Sequence, residues 1–206
     1  GDLTEDAIER VSETLKRFKE IALSHKVEQL LIAATSAVRE APNGREFLNQ
    51  IKEKYELEVD LVSGFEEARL IYLGVLSGMS FGERPHVLVD IGGGSTELVL
   101  ADSRDAKALT SSRVGAVRLQ RDFVKDDPIP AHRRDFIRTF IQGSLEPAVE
   151  KILSRIPSQQ KLVMVATSGT AMALGALTAA ENGQDGIKLH GLKVSKGSLD
   201  EVIASL

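Results

Sequence analysis

The chain has 206 residues, of which 42% are hydrophobic, so it can bury the core of one large or two small domains. It contains no cysteine, which excludes a disulfide scaffold and thiolate chemistry. The formal net charge of −4 argues against non-specific binding to nucleic acid, and no apolar run is long enough for a membrane span. We therefore expect a soluble cytoplasmic protein.

Helices and strands alternate through the first 80 residues. Apolar positions recur with helical spacing behind Thr4, whose hydroxyl suits an N-cap, and the acidic residues Glu5 and Asp6 occupy the favoured first turn. The rest of this part is predicted as a buried strand over 29–34, a polar segment over 35–40, a helix over 44–54, a strand over 57–61, and a helix that Ser63 caps and that ends near Gly78.

From about residue 81 the pattern changes to paired strands, so we divide the chain into domains over 1–80 and 81–206. The second part is predicted as a hairpin over 87–100, a strand over 106–114, a short helix ending at 123, a helix over 131–153, a buried strand over 161–166, a helix that starts around 168, and a last helix that a capping box opens at Ser198. The histidines lack metal-ligand spacing and are expected at the surface: His25, His86, His132 and His190.

The segment Val87-Leu-Val-Asp-Ile-Gly-Gly-Gly-Ser-Thr-Glu97 is the most informative part of the chain. The range Gly92–Gly94 can reach positive φ, which would let its amides converge on an anion, and Ser95 adds a hydroxyl donor. Asp90 interrupts an apolar strand, so its carboxylate should face a cation, water or hydrogen-bond donors. The pattern predicts a phosphate-binding turn between two antiparallel strands, but a plain glycine-rich hairpin would have the same local sequence.

A second anion-binding turn is predicted where the strand over 161–166 ends. Ser168, Gly169 and Thr170 stand there at the start of an alanine-rich helix. The backbone N–H groups and the dipole at a helix N-terminus favour an anion. The two hydroxyls could instead cap the helix, and both roles can coexist because they share one geometry.

Three separated segments carry a further signal: Ala34-Thr-Ser-Ala-Val-Arg39, Ser63-Gly-Phe-Glu-Glu-Ala-Arg69 and Asp90-Ile-Gly-Gly-Gly-Ser-Thr-Glu97. They resemble the successive signatures of the exopolyphosphatase and guanosine-pentaphosphate phosphohydrolase (Ppx/GppA) family, and Ser168-Gly-Thr170 resembles the family's later phosphate-binding turn. Their order and separations also fit the family. The resemblance implies an α/β, ribonuclease-H-like fold of the actin, sugar-kinase and heat-shock-chaperone superfamily, with two domains flanking a cleft and the first one incomplete.

The resemblance also implies a role for individual residues. Glu67 would be the base that activates water, and Arg39 would grip the terminal phosphate. Phosphate would be bound by Gly92, Gly93, Gly94, Ser95, Ser168, Gly169 and Thr170, and Mg²⁺ by Asp90 and Glu97. The residue types alone leave alternatives: Glu67 as a solvated helix residue in an ion pair, Arg39 paired with Glu40 or Glu67, and Glu97 as an outward strand residue.

The implied activity is magnesium-assisted hydrolysis of the terminal phosphoanhydride of inorganic polyphosphate. One alternative is removal of the 5′-terminal phosphate of guanosine pentaphosphate, and another is a non-catalytic module that binds an alarmone or a nucleotide. An ATP-dependent kinase or chaperone is disfavoured by the Glu-Glu-Ala-Arg motif. The family's first phosphate loop and C-terminal region have no counterpart here, so we expect this chain alone to be weak or inactive. An unpaired strand edge near Leu31 would allow it to form a homodimer.

Overall fold

The computed structural model describes residues 1–82, 84–156, 162–184 and 186–205. The chain forms two compact units, Gly1–Glu67 and Ala68–Leu206, here called unit 1 and unit 2. The division between the units falls inside a helix, and the domain boundary expected after residue 80 stays a prediction. Within the described ranges, no helix combines the length and the apolar character needed to cross a bilayer.

Unit 1 contains three helices, two short strands and the start of a fourth helix. They are α1 (Glu5–Ser24), β1 (Ala33–Ala34), α2 (Ser36–Arg39), α3 (Gly44–Tyr55), β2 (Asp60–Leu61) and α4 (Gly64–Gly78). The Thr4 hydroxyl accepts a hydrogen bond from the Ala7 amide at 3.2 Å, which confirms the predicted N-cap of α1. The strands β1 and β2 pair in parallel, and the core is formed by Phe47, Ile51 and Leu57.

The prediction of a buried strand over 29–34 is wrong in its extent and its burial. Only Ala33 and Ala34 are in the strand, and the Leu31 side chain is 76% exposed. Among the described residues, β1 has β2 as its single neighbour, so the apolar run before it has no sheet to cover it. The polar segment that follows contains α2, which the sequence pattern did not predict.

Unit 2 is built on a four-stranded sheet with helices on both faces. Its elements are β3 (His86–Ile91), β4 (Thr96–Ala101), β5 (Ala106–Ser112), α5 (Ala116–Phe123), α6 (Ala131–Leu153), β6 (Val163–Thr167), α7 (Ser168–Glu181) and α8 (Lys196–Ser205). The strand order is β5-β4-β3-β6, in which β3 pairs antiparallel with β4 and parallel with β6. The predicted hairpin and the predicted helix over 131–153 are confirmed.

The alternation of side chains along β3 places its residues on two different cores. Leu88 packs with Val99 and with the α4 residues Ala68 and Tyr72. The other face carries Val87 and Leu100 and packs against α6 through Ala148 and Ile152. Because Asp90 is two residues beyond Leu88, its side chain belongs to the sheet face that α4 covers, at the carboxyl end of β3.

The predicted strand over 161–166 exists but is not buried. Its first residue, Lys161, lies outside the described residues, and Met164 is 71% exposed. Strand β6 is the edge of the described sheet and pairs only with β3, so part of its apolar surface stays open to solvent.

Two smaller predictions also need correction. The His86 side chain is buried at 5% exposure, stacks on Phe81 with 4.4 Å between ring centroids, and lies at the base of β3 rather than at the surface. The last helix begins at Lys196, and its cap lies three residues before the predicted one, because the Ser195 hydroxyl accepts the Ser198 amide at 3.0 Å. Leu206, the residue that follows this helix in the sequence, lies outside the described residues.

Candidate functional site

The glycine turn, residues 92–95, connects β3 to β4. The Gly92 amide donates to the Ser95 carbonyl at 3.0 Å, which closes the turn, and the Ser95 side chain is 3% exposed. The expectation that the glycines adopt positive φ is wrong for Gly92 and Gly93. Close packing accounts for Gly93 instead, since a Cβ there would lie 3.2 Å from the Val117 Cγ2 atom.

The first turn of α5 binds all three glycine carbonyls of this turn. The Gly92 carbonyl accepts from the Ala116 amide at 3.0 Å, and the Gly93 carbonyl accepts from the Arg118 amide at 2.9 Å. The Gly94 carbonyl accepts from Arg118 Nε at 3.1 Å. Within the described residues, the amides that follow these carbonyls, on Gly93, Gly94 and Ser95, have no assigned acceptor. Consecutive N–H groups of this kind form an anion-binding concavity.

Gly115 is a residue of this site that the sequence interpretation missed. A Cβ at this position would lie 2.5 Å from the Gly93 carbonyl carbon and oxygen, so only glycine allows α5 to approach the turn. The adjacent Val114 carbonyl accepts from the Thr96 hydroxyl at 2.6 Å, which ties this segment to the start of β4. The available signal was a glycine at the N-cap of α5, with no capping side chain.

The start of α7 lies against the same turn. The Ser168 and Thr170 hydroxyls donate to the Ile91 carbonyl, at 2.9 and 3.0 Å, immediately before Gly92. Helix capping by these two hydroxyls is not observed in the described residues, because no backbone amide of α7 is assigned as a donor to either oxygen. The donors that this turn offers to an anion are therefore the backbone N–H groups of the first turn of α7, which includes Gly169.

A polar row crosses the sheet at the level of Asp90. The strand register places Asp90 opposite Glu97 on β4, Glu97 opposite Ser111 on β5, and Asp90 beside Thr167 on β6. The Ser111 hydroxyl donates to Glu97 Oε1 at 2.7 Å, and the Thr167 hydroxyl donates to Asp90 Oδ2. Glu97 is only 2% exposed, so the alternative of an outward strand residue is wrong. Ser111 and Thr167 were not predicted as parts of the site.

The two carboxylates of this row provide the donor chemistry that Mg²⁺ prefers. Directly opposed residues of an antiparallel pair have Cα atoms about 4.5–5.5 Å apart, so Asp90 and Glu97 can contribute oxygens to one ion. In the described part of the chain, no group of three or more histidine, cysteine, aspartate or glutamate side chains could hold a metal. Mg²⁺ commonly uses one or two carboxylates and completes its shell with water and substrate phosphates, so the residues present fit this ion.

Unit 1 carries the remaining pair of predicted residues. Arg39, at the end of α2, donates from Nη1 to Glu67 Oε2 at 3.1 Å and to the Val62 carbonyl at 2.8 Å. The Ser63 hydroxyl accepts from the Glu66 amide at 3.1 Å and so fixes the turn of α4 that presents Glu67. The two paired side chains are half-buried, with 22% and 18% of their surface exposed.

The pairing leaves chemical capacity on both partners. Within the described residues, Arg39 Nε and Nη2 have no assigned acceptor, and Glu67 Oε1 has no assigned donor. The structure thus brings Arg39 and Glu67 together in unit 1, and the glycine turn, the start of α7 and the two carboxylates together in unit 2.

These features define the class of the protein. The mixed α/β fold is of the ribonuclease-H-like, actin-like kind that the family resemblance implies. Unit 2 presents an amide-lined turn beside two carboxylates. The model of the Ppx/GppA phosphatase family matches residues 1–206, and the chain belongs to that family.

Relatives in this family carry two different names. The chain is 34% identical over 193 residues to a guanosine-5′-triphosphate,3′-diphosphate pyrophosphatase of Photobacterium profundum, covering 94% of the chain and 38% of that protein. It is 30% identical over 205 residues to exopolyphosphatase 1 of Mycobacterium tuberculosis, covering 99% of the chain and 58% of that protein. The chain therefore spans about half the length of the curated relatives that it matches.

Solved structures of the same family have a similar fold over nearly the whole of this chain. An exopolyphosphatase from Cytophaga hutchinsonii superposes with a TM-score of 0.86 at 26% identity, over 100% of this chain and 65% of that one. The Ppx/GppA family member of Aquifex aeolicus gives a TM-score of 0.74 at 26% identity, over 99% of this chain and 63% of that one.

Proposed function

We propose that the protein hydrolyses the terminal phosphoanhydride of inorganic polyphosphate. The observation that carries this proposal is the glycine turn, in which all three carbonyls are bound by α5 and three consecutive amides have no assigned acceptor among the described residues. A row of N–H groups suits the non-bridging oxygens of a phosphate chain. The family membership and the name of the mycobacterial relative support the same activity.

Phosphoanhydride hydrolysis needs charge neutralisation at the phosphate oxygens and a water placed in line with the leaving oxygen. We assign the first task to the amides of Gly93, Gly94 and Ser95, and to the first turn of α7. Arg39 would bind the terminal phosphate through Nε and Nη2, which form the bidentate edge of a guanidinium.

Glu67 is assigned as the general base. Its Oε2 atom accepts from Arg39, which fixes the carboxylate, and its Oε1 atom has no donor among the described residues and can accept a proton from water. The half-buried position limits the number of waters that compete for this oxygen. Arg39 would therefore both orient the base and contact the phosphate on which the water acts.

Ppx/GppA phosphatases are generally metal-dependent, and we propose Mg²⁺ as the ion in this protein. Asp90 and Glu97 would hold it, each kept in place by a hydroxyl from a neighbouring strand. The bound ion would shield the charge of the phosphate oxygens. A cytoplasmic location and a homodimer stay predictions of the sequence.

Guanosine pentaphosphate is a second candidate substrate, because the Photobacterium relative, at 34% identity, is named for that compound. The two substrates end in the same phosphoanhydride, so the same donors would serve both. The test is to incubate the full-length protein and Mg²⁺ with each substrate and measure released phosphate. Faster release from polyphosphate is expected. A preference for the pentaphosphate would support the second candidate, and binding of either substrate without release would support a non-catalytic module.

A further inference from the structure

We propose that residues 115–118, the α5 clamp, position the glycine turn for phosphate binding, and that Arg118 is the positioning residue within it. The inference deepens the proposed function and depends on the assignment of the turn as a phosphate site. Arg118 acts through the backbone of the turn, since its Nε donates to the Gly94 carbonyl.

The argument follows from the planarity of the peptide bond. In a trans peptide, the C=O of one residue and the N–H of the next point in opposite directions. The α5 clamp binds the carbonyls of Gly92, Gly93 and Gly94, so the amides in the same three peptide planes point away from α5. Those amides belong to Gly93, Gly94 and Ser95, the groups that have no assigned acceptor in the described ranges.

A turn of three glycines needs such an external constraint. Without Cβ atoms its peptide groups can rotate among many conformations, and each rotation would turn an amide away from the ligand. Ordering the turn before binding removes this cost from the binding step. The absence of a side chain at Gly115 is what permits the contact, because a Cβ there would lie 2.5 Å from the backbone of Gly93.

Arg118 makes the one bond of the α5 clamp that depends on a side chain. The bonds to the Gly92 and Gly93 carbonyls come from backbone amides and would survive most substitutions. The bond to the Gly94 carbonyl comes from Arg118 Nε, and the amide in that peptide plane belongs to Ser95. A substitution at Arg118 should therefore release one of the three proposed phosphate donors while the other two stay oriented.

Two variants separate the hydrogen bond from the charge of Arg118. In Arg118→Gln the side-chain nitrogen occupies the same position along the side chain as Arg Nε, so a donor is kept while the charge is lost. Arg118→Met places a methyl group at that position and loses both. Arg121→Met is the matched control, because Arg121 lies on the same helix and its Nε donates to Asp122 at 2.7 Å.

The ligand is methylenediphosphonate, a non-hydrolysable pyrophosphate analogue. Its dissociation constant is measured by calorimetry with the full-length protein, and the melting temperature of each variant is measured as well. Because Arg118→Met loses a hydrogen bond from a charged donor, its affinity for the analogue should be about tenfold weaker than that of the wild type. Arg118→Gln should stay within about threefold of the wild type, and Arg121→Met should be unchanged. The melting temperatures show whether the variants are folded.

If Arg118→Gln and Arg118→Met weaken binding of the analogue equally, the effect is due to charge and the proposal is overturned. Wild-type affinity of Arg118→Met would also overturn it. If Arg118→Met does not fold, the Gln variant decides, because tenfold weakening there contradicts the proposed bond. A wild-type protein that binds the analogue but hydrolyses neither substrate would refute the proposed hydrolysis while the dissociation constants still test the α5 clamp. Failure of the wild type to bind the analogue would refute both.

Discussion

Ser168 offers a test of the way in which α7 is attached to the glycine turn. Its φ is 69°, a left-handed conformation that a residue with a Cβ adopts at a cost of roughly 1–2 kcal/mol. Its hydroxyl donates to the Ile91 carbonyl at 2.9 Å, a contact that contributes about 0.5–1.5 kcal/mol. Strain and hydrogen bond therefore oppose each other at one residue, and substitution can separate them.

Ser168→Ala loses the hydrogen bond and keeps the strain, so the free energy of unfolding should fall by about 1 kcal/mol. Ser168→Gly loses the same bond and removes the strain, so it should stay near the wild type. For a chain of this length, a difference of about 1 kcal/mol between the two variants corresponds to about 2–4 °C in melting temperature.

The assay is thermal unfolding followed by circular dichroism, with Ser144 as the control position. Ser144 lies inside α6, where glycine is about 0.5–1 kcal/mol worse than alanine. The order of the two variants should thus be reversed between the positions. A Ser168→Ala protein at least as stable as Ser168→Gly would refute the assignment of backbone strain at this site.

Three further predictions concern other parts of the structure. Gly93→Val should weaken methylenediphosphonate binding at least about tenfold, because the added Cβ would lie 3.2 Å from the Val117 Cγ2 atom and displace the turn. Unchanged affinity with lost stability would favour a merely structural turn. Thr167→Val should raise the Mg²⁺ concentration needed for half-maximal activity, since it removes the donor to Asp90, and an unchanged requirement would contradict that role. The Lys107 side chain, with the Arg104 amide, lowers the pKa of Asp102 to about 2, so this stabilisation is present above about pH 4 and is lost as the pH falls towards 2. Asp102→Asn should flatten that part of the acid-unfolding curve, and an unaltered curve would count against the pairing.

Local patterns were sufficient for much of the fold. Pro128 and Pro130 predicted where α6 begins, and the apolar runs on both sides of the glycines predicted the hairpin. Both features depend on residues that are neighbours in sequence. Burial of strands depends on the sheet order, which a run of apolar residues does not reveal, and for this reason Leu31 and Met164 were wrongly expected to be covered.

The same limit applies to the candidate site. The segments around Arg39, Glu67 and the glycine turn have compact signatures, so the sequence could name them as candidates. Gly115 and Arg118 act on a turn more than twenty residues earlier, and no local signal connects the two segments. Ser111 and Thr167 were missed for a similar reason, because their contacts with Glu97 and Asp90 depend on strand register.

The most direct test of the central claim is the rate of phosphate release from polyphosphate by the wild-type full-length protein, Glu67→Gln and Glu66→Gln. Glu66 and Glu67 are neighbours in the first turn of α4, so the two variants remove the same charge from the same helix. If Glu67 is the base, Glu67→Gln should lower kcat by about 10²–10⁴-fold with little change in methylenediphosphonate affinity, while Glu66→Gln keeps near-normal turnover. Near-normal turnover of Glu67→Gln would contradict the account.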